Sequence, residues 1–212
     1  RTVMAEYKVA VIPGDGVGLE VIDEGRKALE AVAGVTDGLS FQFTEFPWGS
    51  EFYRETGKLM PDDGIETLKG FDTILFGAVG DPDIPDHITL HGLLLPMRRS
   101  FDQGVCIRPA SLYPGVESPL SGKKAGDIDM VIFRENTEDL YAVGSQGVNV
   151  TPDLAIDFRV ITTQGSERII DAAFAHAQRV GKTRVTVVTK ANIVKATDGK
   201  FLDVARSVAK GY

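Results

Sequence analysis

The stretch Tyr7-Lys8-Val9-Ala10-Val11-Ile12-Pro13-Gly14-Asp15-Gly16-Val17-Gly18 decides how the rest of the chain is read. Tyr7 to Ile12 is a short apolar-rich run and reads as a strand. Pro13 to Gly18 is a turn. Val17, Val21, Gly25, Ala28 and Val32 then recur at steps of four or three, which is one face of a helix, and Gly34 and Gly38 end it. The glycines at 14, 16 and 18 do not have the G-x-G-x-x-G spacing of a dinucleotide fold, and no Gly-Lys-Ser/Thr follows. The turn is either a tight strand-to-helix connection or a set of backbone N–H groups facing a ligand at a helix N-terminus. Leu39, Phe41 and Phe43 alternate with polar residues as a second strand. Trp48, Phe52 and Tyr53 follow as a packing cluster, and Asp62 is placed to cap a short helix carrying Ile65 and Leu68. Phe71 to Phe76 is the third strand. The order β-α-β-α-β predicts an α/β protein with a parallel sheet covered by helices.

The loop from 77 to 86 is rich in Gly, Pro and Asp and exceeds the usual ~2–6 residues of a βα connection, the kind of loop that often carries function. His87 to Phe101 reads as a helix with Leu90, Leu93, Leu94 and Met97 on its apolar side, closed by Arg98 and Arg99. Cations in a last turn suit the helix dipole, which accounts for Arg99 without a binding role. Val105 to Arg108 reads as a strand stopped by Pro109. The composition shifts to Pro and Gly after it, so a domain boundary is expected near 102–110, dividing the chain into 1–104 and 105–212. Met130 to Phe133 reads as a short buried strand that breaks into Arg134-Glu135-Asn136-Thr137-Glu138-Asp139-Leu140-Tyr141. Residues 142–163 read as a hairpin arm, with Ile156 to Thr163 as one of its strands, able to cover a sheet edge or exchange with a second subunit. Ser166 starts a helix with Ile169, Ile170, Ala173, Phe174, Ala177 and Val180 inward. Val185 to Thr189 reads as a strand ending in Lys190-Ala191-Asn192. Thr197 or Asp198 caps a last helix with Phe201, Leu202, Ala205 and Val208 inward.

Composition narrows the partners. Of 212 residues 43% are hydrophobic, enough for one good core or two small ones. The net charge of -7, without a basic stripe, argues against nucleic acid. A single cysteine, Cys106, cannot staple a fold and suits a reducing, cytoplasmic setting. No apolar run approaches the ~18 residues of a membrane span, and the start has no signal-peptide core. Met4 looks like a natural start.

Arg98, Arg108 and Arg134 lie at strand or helix ends, where α/β proteins bind ligands, together with Tyr141 and Lys190. Arginines grip carboxylates or phosphates with a two-pronged fork and stay charged. A tyrosine can supply a proton, and a lysine is a candidate general base.

The ordered motifs Ile12-Pro13-Gly14-Asp15-Gly16-Val17-Gly18, Phe76-Gly77-Ala78-Val79-Gly80, Leu94-Leu95-Pro96-Met97-Arg98-Arg99, Phe101-Asp102-Gln103, Ile107-Arg108-Pro109, Arg134-Glu135-Asn136-Thr137-Glu138 with Tyr141, and Lys190-Ala191-Asn192 cover nearly the whole chain. Through them it resembles the β-decarboxylating dehydrogenases, the isocitrate/isopropylmalate dehydrogenase family. Pro82 to Leu90 and Phe46 to Ser50 look most like the tartrate/D-malate branch, and Thr197 to Val208 more like the isocitrate branch. The resemblance implies a two-domain α/β/α sandwich, incomplete here, and a homodimer joined by the arm. It implies NAD-dependent oxidative decarboxylation of D-malate or tartrate, a small dicarboxylate, with Mg²⁺ or Mn²⁺; isocitrate and isopropylmalate are the alternatives. It assigns Arg98, Arg108 and Arg134 to the substrate carboxylates, Tyr141 to protonation of the enolate, and Lys190, given by the partner subunit, to the substrate hydroxyl. Gly77, Ala78, Val79, Gly80, Thr89 and Asn192 fall to the nicotinamide end of the cofactor. Family chains run further, and the metal aspartates and adenosine loop of the family have no match here, so no metal ligand is assigned. A non-catalytic fragment or dimerisation partner, and a phosphate-binding α/β protein using the Pro13–Gly18 turn, remain open.

Overall fold

The computed structural model describes residues 5–141 and 147–212. The chain divides into two compact units between Phe101 and Asp102.

The first unit is built on a parallel sheet in the order β2-β1-β3, comprising β1 (Ala5–Gly14), β2 (Leu39–Glu45) and β3 (Thr73–Ala78). Strand β1 is central and buried on both faces, and the pleat sorts its side chains by parity. Val9 and Val11 meet Ile22 of helix α1 (Val17–Val35), with Phe41, Phe43 and Leu75 around them. Ala10 and Ile12 face the other way, into a core of Trp48, Leu59, Leu68, Leu93 and Met97. That second core is supplied by helices α2 (Ser50–Thr56) and α3 (Gly64–Leu68) and by the helical rod from 86 to 100. Helices therefore cover both faces of the sheet, as the β-α alternation predicts.

Local details differ from the sequence reading. Strand β3 lies two residues later than expected, because its pairing with β1 runs from Val9↔Thr73 to Gly14↔Ala78. Asp62 caps nothing; its carboxylate pairs with Lys58, and α3 starts without a side-chain cap. The rod is not one uniform α-helix. It comprises α4 (Asp86–Thr89), a π turn (Leu90–Leu94) and α5 (Leu95–Ser100). The wider turn shifts the inward face, so Thr89, Leu93, Leu95 and Met97 are the buried residues.

The second unit has an antiparallel ladder of β4 (Val105–Ser111) and β5 (Asp129–Glu135), with Cys106 opposite Arg134 and Ile107 opposite Phe133. Helices α6 (Thr163–Arg179) and α7 (Thr197–Val208) pack through Ile169, Ile170, Val204 and Ala205 against Val105 and Phe133. Strand β4 continues through Pro109 to Ser111, contrary to the expected stop. A strand paired on one side only can place a proline where no ladder bond is lost. Helix α6 begins at Thr163, earlier than expected, because the Thr162 hydroxyl accepts a hydrogen bond from Gly165 N at 3.0 Å. No side chain caps α7. The arm contains a short hairpin, β6 (Val148–Thr151) with β7 (Leu154–Ile156). Beyond it only Val160 is bridged, to Asp139, so Ile156 to Thr163 is not a strand. Residues 142–146 of the arm lie outside the described residues. The 185–189 segment alternates like a strand but joins no ladder: Val187 packs on α6 and α7 while Val188 is 87% exposed. Among the described residues no helix is long and apolar enough to cross a membrane.

Candidate functional site

In the first unit one carboxylate holds the loops together. Asp15 Oδ1 accepts from Ser50 N at 2.7 Å, and its Oδ2 accepts from the Ser50 hydroxyl at 2.6 Å and from Gly80 N at 2.8 Å. Its own N–H donates to the Ala78 carbonyl at 2.7 Å. The turn after β1, the start of α2 and the end of β3 are thus tied at one point. The glycines of the turn are explained by that packing. Gly14 has φ +74° and sits so close to Ala78 that a Cβ would overlap the Ala78 carbonyl, and a Cβ on Gly18 would lie 2.7 Å from Ala78 N. The spacing that suggested a phosphate loop therefore follows from close backbone approach, and nothing in this turn requires a bound phosphate.

The candidate cofactor residues follow from this anchor. Gly77 and Ala78 end β3, and Val79 and Gly80 lead into the loop. Gly80 has φ +148° with nothing within 4 Å of where a Cβ would stand, so its backbone is open to a close neighbour. The loop is pinned beyond Gly80. Asp81 accepts from Asp83 N at 2.9 Å and from Arg54 at 2.5 Å, and these bonds, the Asp83 N–H first, hold its carboxyl below the usual range. Ile84 is buried. Thr89 is 3% exposed, and its hydroxyl donates to the Asp86 carbonyl at 3.0 Å. Arg98, half-buried, lies in the last turn of α5.

In the second unit the ladder register groups two of the arginines. Directly opposed residues share a face, as do residues two apart. Arg134 opposes Cys106, and Arg108 lies two residues from Cys106, so both guanidinium groups belong to one face of β4–β5. Arg108 Nε lies 3.4 Å from Cys106 Sγ. Val105 and Phe133 take the other face, under α6 and α7. Arg134 Cζ also stands 5.2 Å from the centroid of the Tyr141 ring, a cation–π contact. The structure thus brings Arg108, Arg134 and Tyr141 to one place.

The residues between Arg134 and Tyr141 brace that place. Glu135 accepts from the N–H of Thr137 and of Glu138 and pairs with Arg168 at 3.3 Å. Arg168 also donates to Asp102 at 2.7 Å and to the Thr137 hydroxyl at 2.9 Å. Asp102, first among these partners, strengthens its hold on its proton. A Cβ on Gly104 would overlap the Arg168 guanidinium. Buried Asn136 donates its amide to the Gln103 carbonyl at 3.2 Å. Glu138 accepts from both the N–H and the hydroxyl of Thr162, fixing the start of α6.

Lys190 and Asn192 are exposed on a short turn ahead of α7. The Lys190 N–H donates to Asp198 Oδ1 at 2.8 Å, and its carbonyl accepts from Ile193 N and Val194 N at 2.9 Å each. Asp198 Oδ2 in turn accepts from Arg159 at 2.8 Å. The Lys190 N–H foremost, then the Arg159 charge, hold the Asp198 carboxyl below its usual range. Sequence reasoning missed Arg159, Arg168 and the clamping roles of Asp15 and Asp198. The available signal was that Arg159 and Arg168 are the only cations between 147 and 178.

The architecture is that of an α/β protein, with loops tied at strand ends in the first unit and arginines grouped on one sheet face in the second. The chain belongs to the isocitrate/isopropylmalate dehydrogenase family, whose model matches residues 8–212. It is 47% identical over 190 residues to a tartrate dehydrogenase/decarboxylase of Pseudomonas putida, covering 88% of this chain and 52% of that protein. It is 46% identical over 213 residues to a D-malate dehydrogenase (decarboxylating) of Escherichia coli, covering 99% of this chain and 59% of that one. Among solved structures, isocitrate dehydrogenase from Methylococcus capsulatus superposes with a TM-score of 0.79 at 31% identity, covering 97% of this chain and 57% of that one. The expected family, α/β class and likeness to the tartrate/D-malate branch are borne out. The chain spans little more than half the length of these relatives.

Proposed function

We propose that the full-length protein oxidises a small 2-hydroxy dicarboxylate, D-malate or tartrate, with NAD and removes its β-carboxylate. The observation that carries this is the shared face of Arg108 and Arg134 with Tyr141 against Arg134. Two fixed cations beside a phenol suit an anionic substrate that must be gripped and then protonated. The likeness to tartrate and D-malate dehydrogenases supports the choice of acid.

In this reading Arg98, Arg108 and Arg134 hold the substrate carboxylates. Lys190 of the partner subunit takes the hydroxyl proton as hydride leaves C2, and C2 becomes a carbonyl. The bond from C3 to the β-carboxylate then breaks, carbon dioxide departs, and its bonding pair forms the enolate. Tyr141 returns a proton to C3. Gly77, Ala78, Val79, Gly80, Thr89 and Asn192 hold the nicotinamide end of NAD, which when bound supplies the hydride acceptor; the open backbone at Gly80 fits such a neighbour. A divalent metal, Mg²⁺ or Mn²⁺, belongs to the same reading. The described residues contain no group of three or more His, Cys, Asp or Glu side chains able to hold one, so no step is assigned to it here.

The protein works as a cytoplasmic homodimer in which the β6–β7 hairpin meets its counterpart. Val148, Val150, Leu154 and Ile156 are each 43–51% exposed, more apolar surface than a two-stranded ribbon keeps in water. The test is steady-state rates of the full-length protein with D-malate, tartrate, isocitrate and isopropylmalate side by side. Preference for either of the last two overturns the choice of acid. No NAD reduction with any of them overturns the enzyme.

A further inference from the structure

Tyr141 and Lys190 are separated by 49 positions in sequence, yet one side chain reaches the supports of both. Arg159 donates through Nε to Asp139 Oδ1 at 2.5 Å and through one terminal nitrogen to Asp139 Oδ2 at 3.3 Å. Its other terminal nitrogen donates to Asp198 Oδ2 at 2.8 Å. All three guanidinium nitrogens are therefore used, in a fork on one carboxylate and a single bond to another.

Each carboxylate leads to a candidate catalytic group. Asp139 lies two residues before Tyr141 and has φ +63°, a left-handed conformation that a non-glycine residue keeps only when its surroundings hold it. Its backbone is bridged to Val160, directly after Arg159, with Asp139 N donating to the Val160 carbonyl at 2.8 Å. Asp198 uses its other oxygen to accept from Lys190 N at 2.8 Å and from the Thr189 hydroxyl at 3.2 Å. The Asp198 side chain is only 11% exposed, so this end of the bridge is shielded from solvent. Neither carboxylate has a second cation within ion-pair distance among the described residues.

We propose that Arg159 is a positioning residue that sets the Tyr141 turn and the Lys190 turn together, so that both proton-transfer groups depend on one guanidinium. The proposal rests on the roles given above to Tyr141 and Lys190. Because Lys190 acts in the partner's site in that reading, Arg159 also joins the tyrosine of one site to the lysine of the other. A lysine in its place has one ammonium and cannot hold the Asp139 fork and Asp198 at once.

The experiment uses the full-length protein and separates the two steps. Single-turnover NADH formation reads the oxidation that needs Lys190. Exchange of the keto-acid product's C3 protons with deuterated solvent, followed by NMR, reads the step that needs Tyr141. Arg159→Gln is expected to slow both by about 10–10²-fold, as small displacements of catalytic groups do. Arg159→Lys is expected to recover part of one step and not the other. Asp139→Asn should slow exchange more than oxidation, and Asp198→Asn oxidation more than exchange. An Arg159→Gln protein within about twofold of the unaltered rate in both steps overturns the proposal, since misplacement at this range cannot be silent. If that variant does not fold, identical profiles for the two aspartate variants overturn it instead. Lys190→Met and Tyr141→Phe run alongside as separate checks on the roles. If neither affects its own step, the functional reading falls; if both do while Arg159→Gln leaves the rates intact, only the positioning role falls.

Discussion

Gly18→Ala tests whether the turn after β1 is built for close packing. By helix propensity alone the change is favourable, because alanine is better than glycine in a helix by about 0.8–1.0 kcal/mol. Gly18 is buried in the first turn of α1, however, and a Cβ there would stand 2.7 Å from Ala78 N and closer still to the Pro13 carbonyl, where ordinary contacts are 3.4–4 Å. Both neighbours are backbone, so no rotamer relieves the overlap, and α1 must retreat from the end of β3 by roughly an ångström. Overpacking of this kind costs about 1–3 kcal/mol. The Asp15 bonds to Gly80 N and Ser50 span the same junction, and each hydrogen bond disturbed adds about 1 kcal/mol. Net destabilisation of about 2–3 kcal/mol is expected after the propensity gain is subtracted. Gly34→Ala in the same helix is the control: nothing lies within 4 Å of its Cβ position, and stabilisation by up to about 1 kcal/mol is expected. Urea unfolding of the full-length proteins measures both. A Gly18→Ala protein as stable as Gly34→Ala would refute the close-approach account of the turn.

Lys190→Met should lose oxidation by about 10²–10⁴-fold, the usual weight of a general base, as read by NADH formation. Tyr141→Phe should still reduce NAD but release its product slowly, and a product-release rate equal to that of the unaltered protein would remove Tyr141 from the mechanism. Arg134→Lys should raise KM far more than it lowers kcat, because a point charge cannot copy a two-pronged grip. Asp198→Asn should destabilise most at neutral pH. A carboxyl held below its usual range contributes its full stability above the ordinary aspartate pKa and loses it as pH falls through its lower folded value, so the gap between variant and parent should close in acid. A gap that is constant with pH would show that the Asp198 charge is not involved. Ile156→Glu should weaken the dimer, with light scattering at graded concentration as the measurement.

What could be read from sequence was whatever is local. The 3.6-residue period of α1 and α6 and the alternation of β2 are properties of neighbouring residues, and they placed the elements within a few positions. The 185–189 segment has the same alternation, yet a strand also needs a partner, which no single segment can announce. The shared face of Arg108 and Arg134 depends on the Cys106↔Arg134 register, invisible in either strand alone. Arg159 reaches Asp139 across 20 residues and Asp198 across 39, so its role arises only from the folded chain. The motif from Arg134 to Tyr141 reads from sequence as a candidate site, and in the fold most of its charges brace backbone. Glu135 ties the N–H groups of Thr137 and Glu138, Asn136 ties Gln103 and Glu138 ties Thr162, while Arg134 stands against the Tyr141 ring.

The π turn between α4 and α5 acts as a phase shifter. Thr89 and Arg98 are nine residues apart on one rod, and at about 100° per residue an unbroken α-helix would point them in opposite directions. A π turn takes up one extra residue, which leaves about eight α-helical steps of rotation and brings the two within roughly 80° of each other. In the proposed reading, Thr89 of the cofactor set and Arg98 of the substrate set then lie towards the same side of the rod. Rewinding Leu90–Leu94 as a regular α-helix with all its residues kept would return Thr89 and Arg98 to opposite sides, whereas deleting one residue there would leave them about 80° apart, as they are now.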